Sequence, residues 1–324
     1  MTQIRWGIIG CGDVTEVKSG PAFAKAGGSA LVAVMRRNAQ LAEDYARRHG
    51  VPRWYGDAEA LVADPDVDAV YVATPPDSHR EYVLIAARHQ KPVYVEKPMA
   101  LDHRQCLDMI EACREAGVPL FTAYYRRALP RFLRVKALVD EGAIGVVRAI
   151  TITLWRRHAM DAGALPWRVD PAVAGGGLFV DLASHTLDLL DFILGPIAAA
   201  SGGAGNQGDF YRAEDIVAAA FTFESGVRGT GLWCFTADRN EDRVEIVGNA
   251  GRIGFSTFDE APVALSRDGG VETFDIPHPP HVQQPLIQSV VDTLQGWGTC
   301  PSTGESGART TRVMDALLAS YRLG

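Results

Sequence analysis

The sequence predicts an α/β fold in two domains: a doubly wound parallel sheet, then an α+β domain with an open, mostly antiparallel sheet. Three observations predict it. Short apolar runs alternate with helix-like stretches from Ile4 to about Thr122. The first run ends in a glycine-rich segment, GIIGCGDV. Beyond residue 124 the predicted strands are longer, richer in β-branched residues and joined by tight turns.

Five apolar runs give the strands of the first domain: RWGIIG, LVAVM, DAVYVAT, PVYVEK and PLFTAYY. Because they do not alternate polar with apolar residues, they are typical of strands buried on both faces. The stretches between them have helical spacing, and Gly50 and Gly117 follow two of these helices where a left-handed residue is favoured. Pro21 predicts that the first helix breaks at Ser19–Gly20 and restarts.

The second domain begins with a helix from Pro130 to about Glu141 and the strand VVRAITITLWRR. Later strands are joined by turns at Ser225–Gly226 and 249–251, and two helices follow, at about 285–296 and 307–322. The segment AASGGAGNQGDF is typical of a mobile loop. We assign residues 1–123 to the first domain and 124–324 to the second. The C-terminal helix is a candidate to pack back on the first domain.

Composition excludes several classes of protein. The 324 residues are 47% hydrophobic, and the formal net charge is −7, which disfavours nucleic-acid and membrane partners. The five cysteines form no CxxC pair, so we expect neither a disulfide framework nor a structural zinc site. No signal-peptide pattern or membrane-spanning run is evident. We therefore expect a soluble, cytoplasmic protein.

The glycine-rich segment predicts a dinucleotide site of the Rossmann type. Gly10 permits a tight turn, Gly12 lets the backbone approach a pyrophosphate, and the helix that starts near Asp13 and Val14 offers free N–H groups. The third small position is Thr15 rather than glycine, and Asp13 is not ideal beside phosphates. A purely structural glycine turn is the alternative, which the position between a first strand and a helix disfavours.

The end of the second strand selects the cofactor. A carboxylate at this position holds the ribose of NAD, but this chain has Arg36 and Arg37. Arginine pairs with a 2′-phosphate through charge-assisted bonds. We therefore expect NADP, with NAD possible. The alternative is that both arginines are solvated surface residues.

Two motifs carry the predicted chemistry. Glu96, Lys97 and Pro98 follow a parallel strand at the edge where such sheets bind ligands, and a lysine there shifts its pKa readily. Asp181 and His185 lie four residues apart on a predicted helix after three glycines, where histidine can move a proton. The alternatives are a surface lysine, an aspartate favoured by the helix N-terminus and a core histidine. We expect no metal, since no third ligand has matching spacing.

The motifs GIIGCGDV, ATPPDSH, EKP and GGG…D-x-x-x-H occur in the order found in the Gfo/Idh/MocA family, which the chain resembles over most of its length. The resemblance implies a nicotinamide cofactor and a sugar, cyclitol or related polyol substrate. It implies that Lys97, Asp181 and His185 line the reacting centre. It adds Thr74, Pro75, His79, Glu96 and Lys97 to the cofactor residues and Tyr125, Trp167, Arg168 and Asp181 to the substrate residues. Tyr125 and Ala183 depart from the family's usual asparagine and glycine, which leaves the substrate open.

The expected activity is NAD(P)-dependent hydride transfer between nicotinamide and a carbinol or carbonyl carbon of a sugar, cyclitol or diol. In oxidation His185 removes the hydroxyl proton, Lys97 stabilises the oxygen, and Asp181 orients substrate or His185. One alternative is a non-catalytic NADP-binding sensor or scaffold, and another is an enzyme for an imine, lactone or pyrrole-type substrate. The open sheet face predicts a homodimer or homotetramer.

Overall fold

The computed structural model describes residues 3–157 and 167–323. The chain divides into two units, one comprising Met1–Leu129 and Pro279–Ala308, the other Pro130–His278 and Arg309–Gly324. The sequence-based boundary between residues 123 and 124 stays a prediction.

Six parallel strands form the sheet of the first unit, in the spatial order β3-β2-β1-β4-β5-β6. They are β1 (Ile4–Ile9), β2 (Ser29–Met35), β3 (Arg53–Tyr55), β4 (Ala69–Val72), β5 (Val93–Val95) and β6 (Leu120–Thr122). Strand order reverses between β1 and β4, and sheets of this class bind ligands at the carboxyl edge beside that reversal. The doubly wound parallel sheet predicted from the sequence is confirmed.

The strands of this sheet are buried on both faces, as their unbroken apolar runs predict. Val70 and Val93 belong to one apolar cluster, whereas Tyr71 and Tyr94 belong to the cluster on the opposite face. Side chains of neighbouring residues point to opposite faces of a strand, so each short strand supplies both layers of core.

Eleven α-helices occur in the described residues. They are α1 (Asp13–Val17), α2 (Gly20–Lys25), α3 (Ala39–His49), α4 (Ala58–Ala63), α5 (His79–Arg88), α6 (His103–Glu115), α7 (Pro130–Asp140), α8 (Pro171–Ala174), α9 (Ser184–Leu194), α10 (Gln284–Leu294) and α11 (Gly304–Leu323). The predicted break near Ser19 is confirmed, because α2 is separate from α1 and has Pro21 in its first turn. Helix α10 packs on the first sheet through Leu286, Ile287 and Val290.

The second unit contains an eight-stranded sheet in the order β14-β13-β12-β11-β7-β10-β9-β8. Its strands are β7 (Val147–Arg157), β8 (Ile197–Gly205), β9 (Ile216–Phe223), β10 (Arg228–Ala237), β11 (Glu241–Gly248), β12 (Arg252–Phe255), β13 (Val263–Arg267) and β14 (Gly270–Phe274). Among the strands of residues 3–157 and 167–323, only β7 and β10 of this sheet pair in parallel, so the sheet is mostly antiparallel, as predicted.

The segment AASGGAGNQGDF was expected to be a loop, and for most of its length that expectation is wrong. Its residues up to Gly205 belong to β8, the edge strand that pairs antiparallel with β9. Glycine and serine are depleted in strands because they pack poorly, which makes the pattern look like a loop. The backbone ladder with β9 needs no side chains, so it forms despite the composition.

Helices cover one face of the second sheet. The ring of Phe179 meets that of Trp233 on β10 edge to face, with centroids 5.1 Å apart, and Phe132 of α7 meets Phe255 of β12 at 6.1 Å. Helix α9 is tied to α11 by Arg309, which donates to both carboxylate oxygens of Asp191 at 2.8 and 2.7 Å. None of the helices in the described part of the chain combines the length and the apolar composition needed to cross a bilayer.

Replacing Arg309 by methionine should destabilise the protein by about 3 kcal/mol, because it leaves the buried carboxylate of Asp191 without its bidentate partner. Arg114→Met is the matched control, since Arg114 pairs with Glu111 on an exposed helix surface and should change stability little. Urea denaturation of both variants measures the difference. Equal midpoints would show that the Asp191 pair is not a structural tie.

Candidate active site

The glycine turn after β1 is fixed between the ends of two neighbouring strands. The backbone N–H groups of Gly10 and Cys11 donate to the carbonyl oxygen of Met35, the last residue of β2, at 2.9 and 3.2 Å. Gly10 has a φ of +92°, and a Cβ there would lie 2.6 Å from Cγ2 of Thr74. The turn therefore requires glycine at residue 10 both for its backbone conformation and for its contact with the loop after β4.

Gly12 differs from Gly10, because a Cβ there would face open space: the nearest protein atom lies 4.0 Å away. In the described part of the chain, the N–H groups of Asp13 and Val14 at the start of α1 donate to no protein acceptor. Thr15 is buried, and its hydroxyl donates to the carbonyl oxygen of Gly12 at 2.7 Å. Open space beside free N–H groups fits the pyrophosphate of a dinucleotide.

Arg36 and Arg37 directly follow β2, and both are exposed. Burial raises the pKa of the Cys11 thiol to about 11, and the positive charge of Arg36 opposes that rise. Arg36 therefore lies near the glycine turn that contains Cys11. Asn38 caps α3 by accepting from Leu41 N at 3.2 Å, which orients the chain after the two arginines. The end of β2 therefore presents positive charge and no carboxylate next to the turn.

The loop after β4 holds Thr74 and Pro75, both half-buried, while His79 is completely buried. The His79 ring nitrogens face backbone carbonyl oxygens, with Nε2 2.7 Å from Thr74 O and Nδ1 3.1 Å from Pro98 O. Burial lowers the pKa of His79, and its contacts with these carbonyls oppose that effect. His79 therefore contributes to the predicted cofactor site only indirectly, by holding the loop after β4 and the backbone after Lys97 together.

Lys97 lies two residues after β5 and is half-buried, and its peptide bond to Pro98 is cis. The preceding carboxylate, Glu96, is only 7% exposed and accepts from Tyr71 Oη at 2.5 Å, Gln283 Nε2 at 2.7 Å and Lys97 N at 3.1 Å. Burial raises the pKa of Tyr71 well above its usual range, so its hydroxyl stays protonated and donates. Three donors therefore fix the backbone from which the Lys97 side chain extends.

Tyr125 follows β6 in the first unit and is half-buried. Its hydroxyl accepts from Nη1 of Arg126 at 2.9 Å, and the Arg126 guanidinium lies 5.0 Å from its ring centroid. The ring is therefore held at the carboxyl edge of the sheet, where a substrate contact was predicted.

Asp181 and His185 belong to the second unit. Asp181 lies in a π-helical segment, Phe179–Ala183, and His185 is the second residue of α9. The sequence predicts a regular helix through both residues, so the π turn is a difference, and such turns are frequent at functional sites. Only 5% of His185 is exposed.

A buried carboxylate just before β9 supports this segment. Oε1 of Glu214 accepts from Gly177 N at 2.7 Å, and Gly177 O in turn accepts from Asp181 N at 3.2 Å. Burial raises the pKa of Glu214, and the bond from Gly177 N opposes that shift. The Glu214 side chain therefore ties the backbone before Asp181 to the start of β9, in addition to the contact of Phe179 with Trp233.

Trp167 and Arg168 lie close to Asp181. Nε of Arg168 is 3.6 Å from Oδ2 of Asp181, and its guanidinium lies 4.5 Å from the Trp167 ring centroid. The three residues that the family resemblance assigns to substrate in this unit therefore form one group. Among the described residues, no set of three or more His, Cys, Asp or Glu side chains could hold a metal ion.

Sequence reasoning missed Tyr71, Gln283 and Glu214, the buried residues that support the predicted site. Tyr71 looks like an ordinary core residue of a strand, and Gln283 is 187 positions from the carboxylate to which it donates. Glu214 precedes a strand in a polar stretch that is typical of a surface loop. Only the fold brings these groups to their partners, and no local sequence signal marks them.

Comparison with known proteins agrees with the geometry. Residues 4–124 match the model of the oxidoreductase family with an NAD-binding Rossmann fold, and residues 132–254 match the GFO/IDH/MocA C-terminal domain. The chain belongs to the Gfo/Idh/MocA oxidoreductase family. These matches confirm the resemblance seen in the sequence motifs. They also confirm that the protein is an oxidoreductase with an NAD-binding Rossmann fold.

Several relatives align over nearly the whole chain. Oxidoreductase P35 of Formosa agariphila is 39% identical, covering 97% of this chain and 98% of its own. The 1,5-anhydro-D-fructose reductase of Ensifer adhaerens is 32% identical, covering 94% and 92%. The crystal structure of aldose-aldose oxidoreductase from Caulobacter crescentus is 26% identical, with a TM-score of 0.88 over 99% of this chain and 98% of that one.

The two glycines of the turn should respond differently to alanine. Gly12→Ala should leave the free energy of unfolding nearly unchanged, because its Cβ meets no protein atom, yet it should weaken NADPH binding by at least about tenfold. Gly10→Ala should destabilise the fold by about 1–2 kcal/mol through its positive φ, and further through contact with Thr74. Urea denaturation and fluorescence titration with NADPH separate the effects. Unchanged NADPH binding by Gly12→Ala would show that the pyrophosphate lies elsewhere.

Proposed function

We propose that this protein catalyses reversible hydride transfer between a nicotinamide cofactor and a carbinol carbon of a sugar, cyclitol or related polyol. The observation that carries the proposal is Lys97, whose backbone is fixed at the carboxyl edge of the cofactor-type sheet by the buried Glu96 carboxylate. The glycine turn, Arg36 and Arg37 would hold the cofactor, and when bound its nicotinamide supplies the hydride acceptor or donor.

In the oxidative direction we assign His185 to remove the substrate's hydroxyl proton, a role that suits an imidazole near neutral pH. We assign Lys97 to hydrogen-bond the same oxygen and stabilise the negative charge that develops on it. A lysine ammonium has three donors, so it can do this without a metal. In reduction the same groups return the proton to the carbonyl oxygen.

We assign Asp181, together with Arg168 and Trp167, to hold the remainder of the substrate. An aspartate paired with arginine at 3.6 Å offers both an acceptor and a donor, which suits a molecule with several neighbouring hydroxyl groups. Tyr125 contributes a half-buried aromatic ring and its phenol hydroxyl. Relatives named for 1,5-anhydro-D-fructose and scyllo-inositol support a cyclic polyol or sugar as the substrate class.

The proposal is tested by mixing the protein and NADP⁺ with a panel of cyclitols, aldoses and anhydrosugars and following nicotinamide reduction by absorbance. At least one polyol should give turnover, and deuterium placed on its carbinol carbon should appear in the reduced nicotinamide. Cofactor binding without turnover on any polyol, carbonyl sugar or diol would indicate a sensor. Turnover accompanied by loss of the label to water would exclude direct hydride transfer.

We further propose that the preferred cofactor is NADP. Two adjacent exposed guanidinium groups at the end of β2, with no carboxylate beside them, would attract a 2′-phosphate and would not hold the free ribose hydroxyls of NAD.

Replacing Arg36 and Arg37 together by alanine should lower kcat/KM for NADP⁺ by about tenfold or more, because each lost charge-assisted bond removes roughly that factor. The value for NAD⁺ should change little. Arg47→Ala is the matched control, since that exposed arginine lies on α3 and pairs with Asp44. Equal losses for both cofactors would place the arginines outside the phosphate site.

We also propose that the exposed face of the eight-stranded sheet pairs with a second copy of this chain. The centre of that face is uncharged: Thr230 lies beside Ala220 and Thr151, and Leu232 lies beside Ala218. Charged side chains border it on β11, where Arg243 and Glu245 pair at 3.0 Å. Leu232 is 37% exposed. An uncharged patch bordered by charged residues is typical of an interface between copies.

Light scattering after size exclusion should give the mass of a dimer or tetramer for the native chain. Leu232→Glu should dissociate it, because a charge would be buried at the pairing face. Leu107→Glu is the control, since Leu107 is 49% exposed on α6 and does not belong to this sheet. A native monomer would contradict the proposal.

A further inference from the structure

A short loop of the second unit, Ser256–Asp259, contacts the helix that carries His185. The hydroxyls of Thr257 and Thr186 lie 3.0 Å apart, and both residues are buried. The Phe258 ring meets the His185 imidazole edge to face, with centroids 5.9 Å apart and an interplanar angle of 78°. The loop therefore touches the imidazole itself and the residue that follows it.

One buried carboxylate holds this loop. Asp242, on β11, accepts hydrogen bonds from three successive backbone N–H groups, those of Thr257 at 3.0 Å, Phe258 at 2.6 Å and Asp259 at 3.1 Å. Only 2% of the Asp242 side chain is exposed. A carboxylate bound by three consecutive amides fixes the path of the loop backbone and so the direction in which Phe258 points.

Two arginines hold the same loop from other elements. Arg131 of α7 is 3% exposed and donates to the carbonyl oxygens of Asp259, at 3.1 Å, and Ala261. Arg156 of β7 lies 3.5 Å from Oδ1 of Asp259, and its guanidinium lies 5.8 Å from the Phe258 ring centroid. Burying charged groups is costly, so the two buried groups that hold this loop, Asp242 and Arg131, indicate that its position matters.

We propose that the loop Ser256–Asp259 is a positioning element for His185, in which Phe258 sets the plane of the imidazole and Asp242 sets Phe258. The inference rests on the proposed function, in which His185 is the base. The outer torsion of histidine is broad, so the contacts of the ring decide how it is turned. An edge-to-face contact is directional and supplies that restraint. A base works only within hydrogen-bond reach of the proton it removes.

Phe258→Leu is the principal test, because leucine keeps most of the apolar volume and lacks the directional ring. Phe258→Tyr is the conservative variant that restores the ring. Glu260→Gln is the matched control, an exposed carboxylate two residues further along the chain. Asp242→Asn tests the second step, since an amide cannot accept from three N–H groups as a carboxylate does.

The first readout is NMR of protein labelled at its eight histidines, with the His185 signal assigned by its loss in His185→Gln. Phe258→Leu should move that signal, because the ring current of Phe258 is removed, and Phe258→Tyr and Glu260→Gln should not. This readout needs no substrate, so it tests the contact even if no polyol is oxidised and the proposed function fails.

The second readout is kinetic. Phe258→Leu should lower kcat by about 10- to 100-fold, as expected for a misplaced base, with NADPH affinity and melting temperature preserved. The acid limb of the kcat/KM profile should shift, and Phe258→Tyr should restore both. If Asp242→Asn folds, it should reproduce the kinetic defect of Phe258→Leu. If Asp242→Asn does not fold, the result for Phe258→Leu alone tests the inference. A native-like kcat and pH profile in Phe258→Leu, with or without an NMR shift, would overturn the inference.

Discussion

The carboxylate of Glu96 is the constraint on which the rest of the first unit's candidate site depends. A buried carboxylate is tolerated only when donors surround it, and here the donors come from β4, from the residue before α10 and from the next backbone amide. Satisfying that charge draws three separate parts of the chain to the end of β5. The same contacts hold the backbone at Lys97 in place. The hydrogen bonds that the buried carboxylate requires therefore also fix the point from which the lysine side chain extends. On the other side of the segment, His79 joins the backbone after Lys97 to the loop after β4.

The second unit uses carboxylates in a similar way, to hold backbone rather than to meet solvent. Glu214 accepts from the glycine run before the π-helical segment, Asp242 accepts from the loop beside His185, and Asp191 ties α9 to α11. Glu214 and Asp191 thus hold the segment that carries Asp181 and His185, and Asp242 holds a loop that contacts this segment. In the proposed function His185 is the base and needs a defined orientation, and these contacts restrain the segment that carries it. The net charge of −7 therefore includes carboxylates that are internal parts of the structure.

Much of the fold could be predicted from sequence, since unbroken apolar runs, helical spacing and glycine stops are local signals that survive in the structure. The buried strands that contain Tyr71 and Tyr94, the break at Ser19 and the parallel sheet all follow from them. The edge strand β8 was missed because its composition is that of a loop, and the short β3 and α4 carry too few residues for a pattern. The motif residues could be found because they lie within short segments. The residues that hold these motifs in place could not be found from the sequence, because Gln283, Glu214 and Asp242 act through contacts that exist only after folding.

The central claim is that Lys97 stabilises the substrate oxygen rather than binding cofactor alone, and the most direct test is the steady-state rate of Lys97→Met beside its NADPH affinity. The side chains are similar in length, so the variant removes the charge and the hydrogen-bond donors with little change in packing. The account predicts that turnover falls by about a hundredfold or more while NADPH still binds, with Lys25→Met, an exposed lysine on α2, behaving as the native protein. Turnover within a few-fold of the native rate would contradict it.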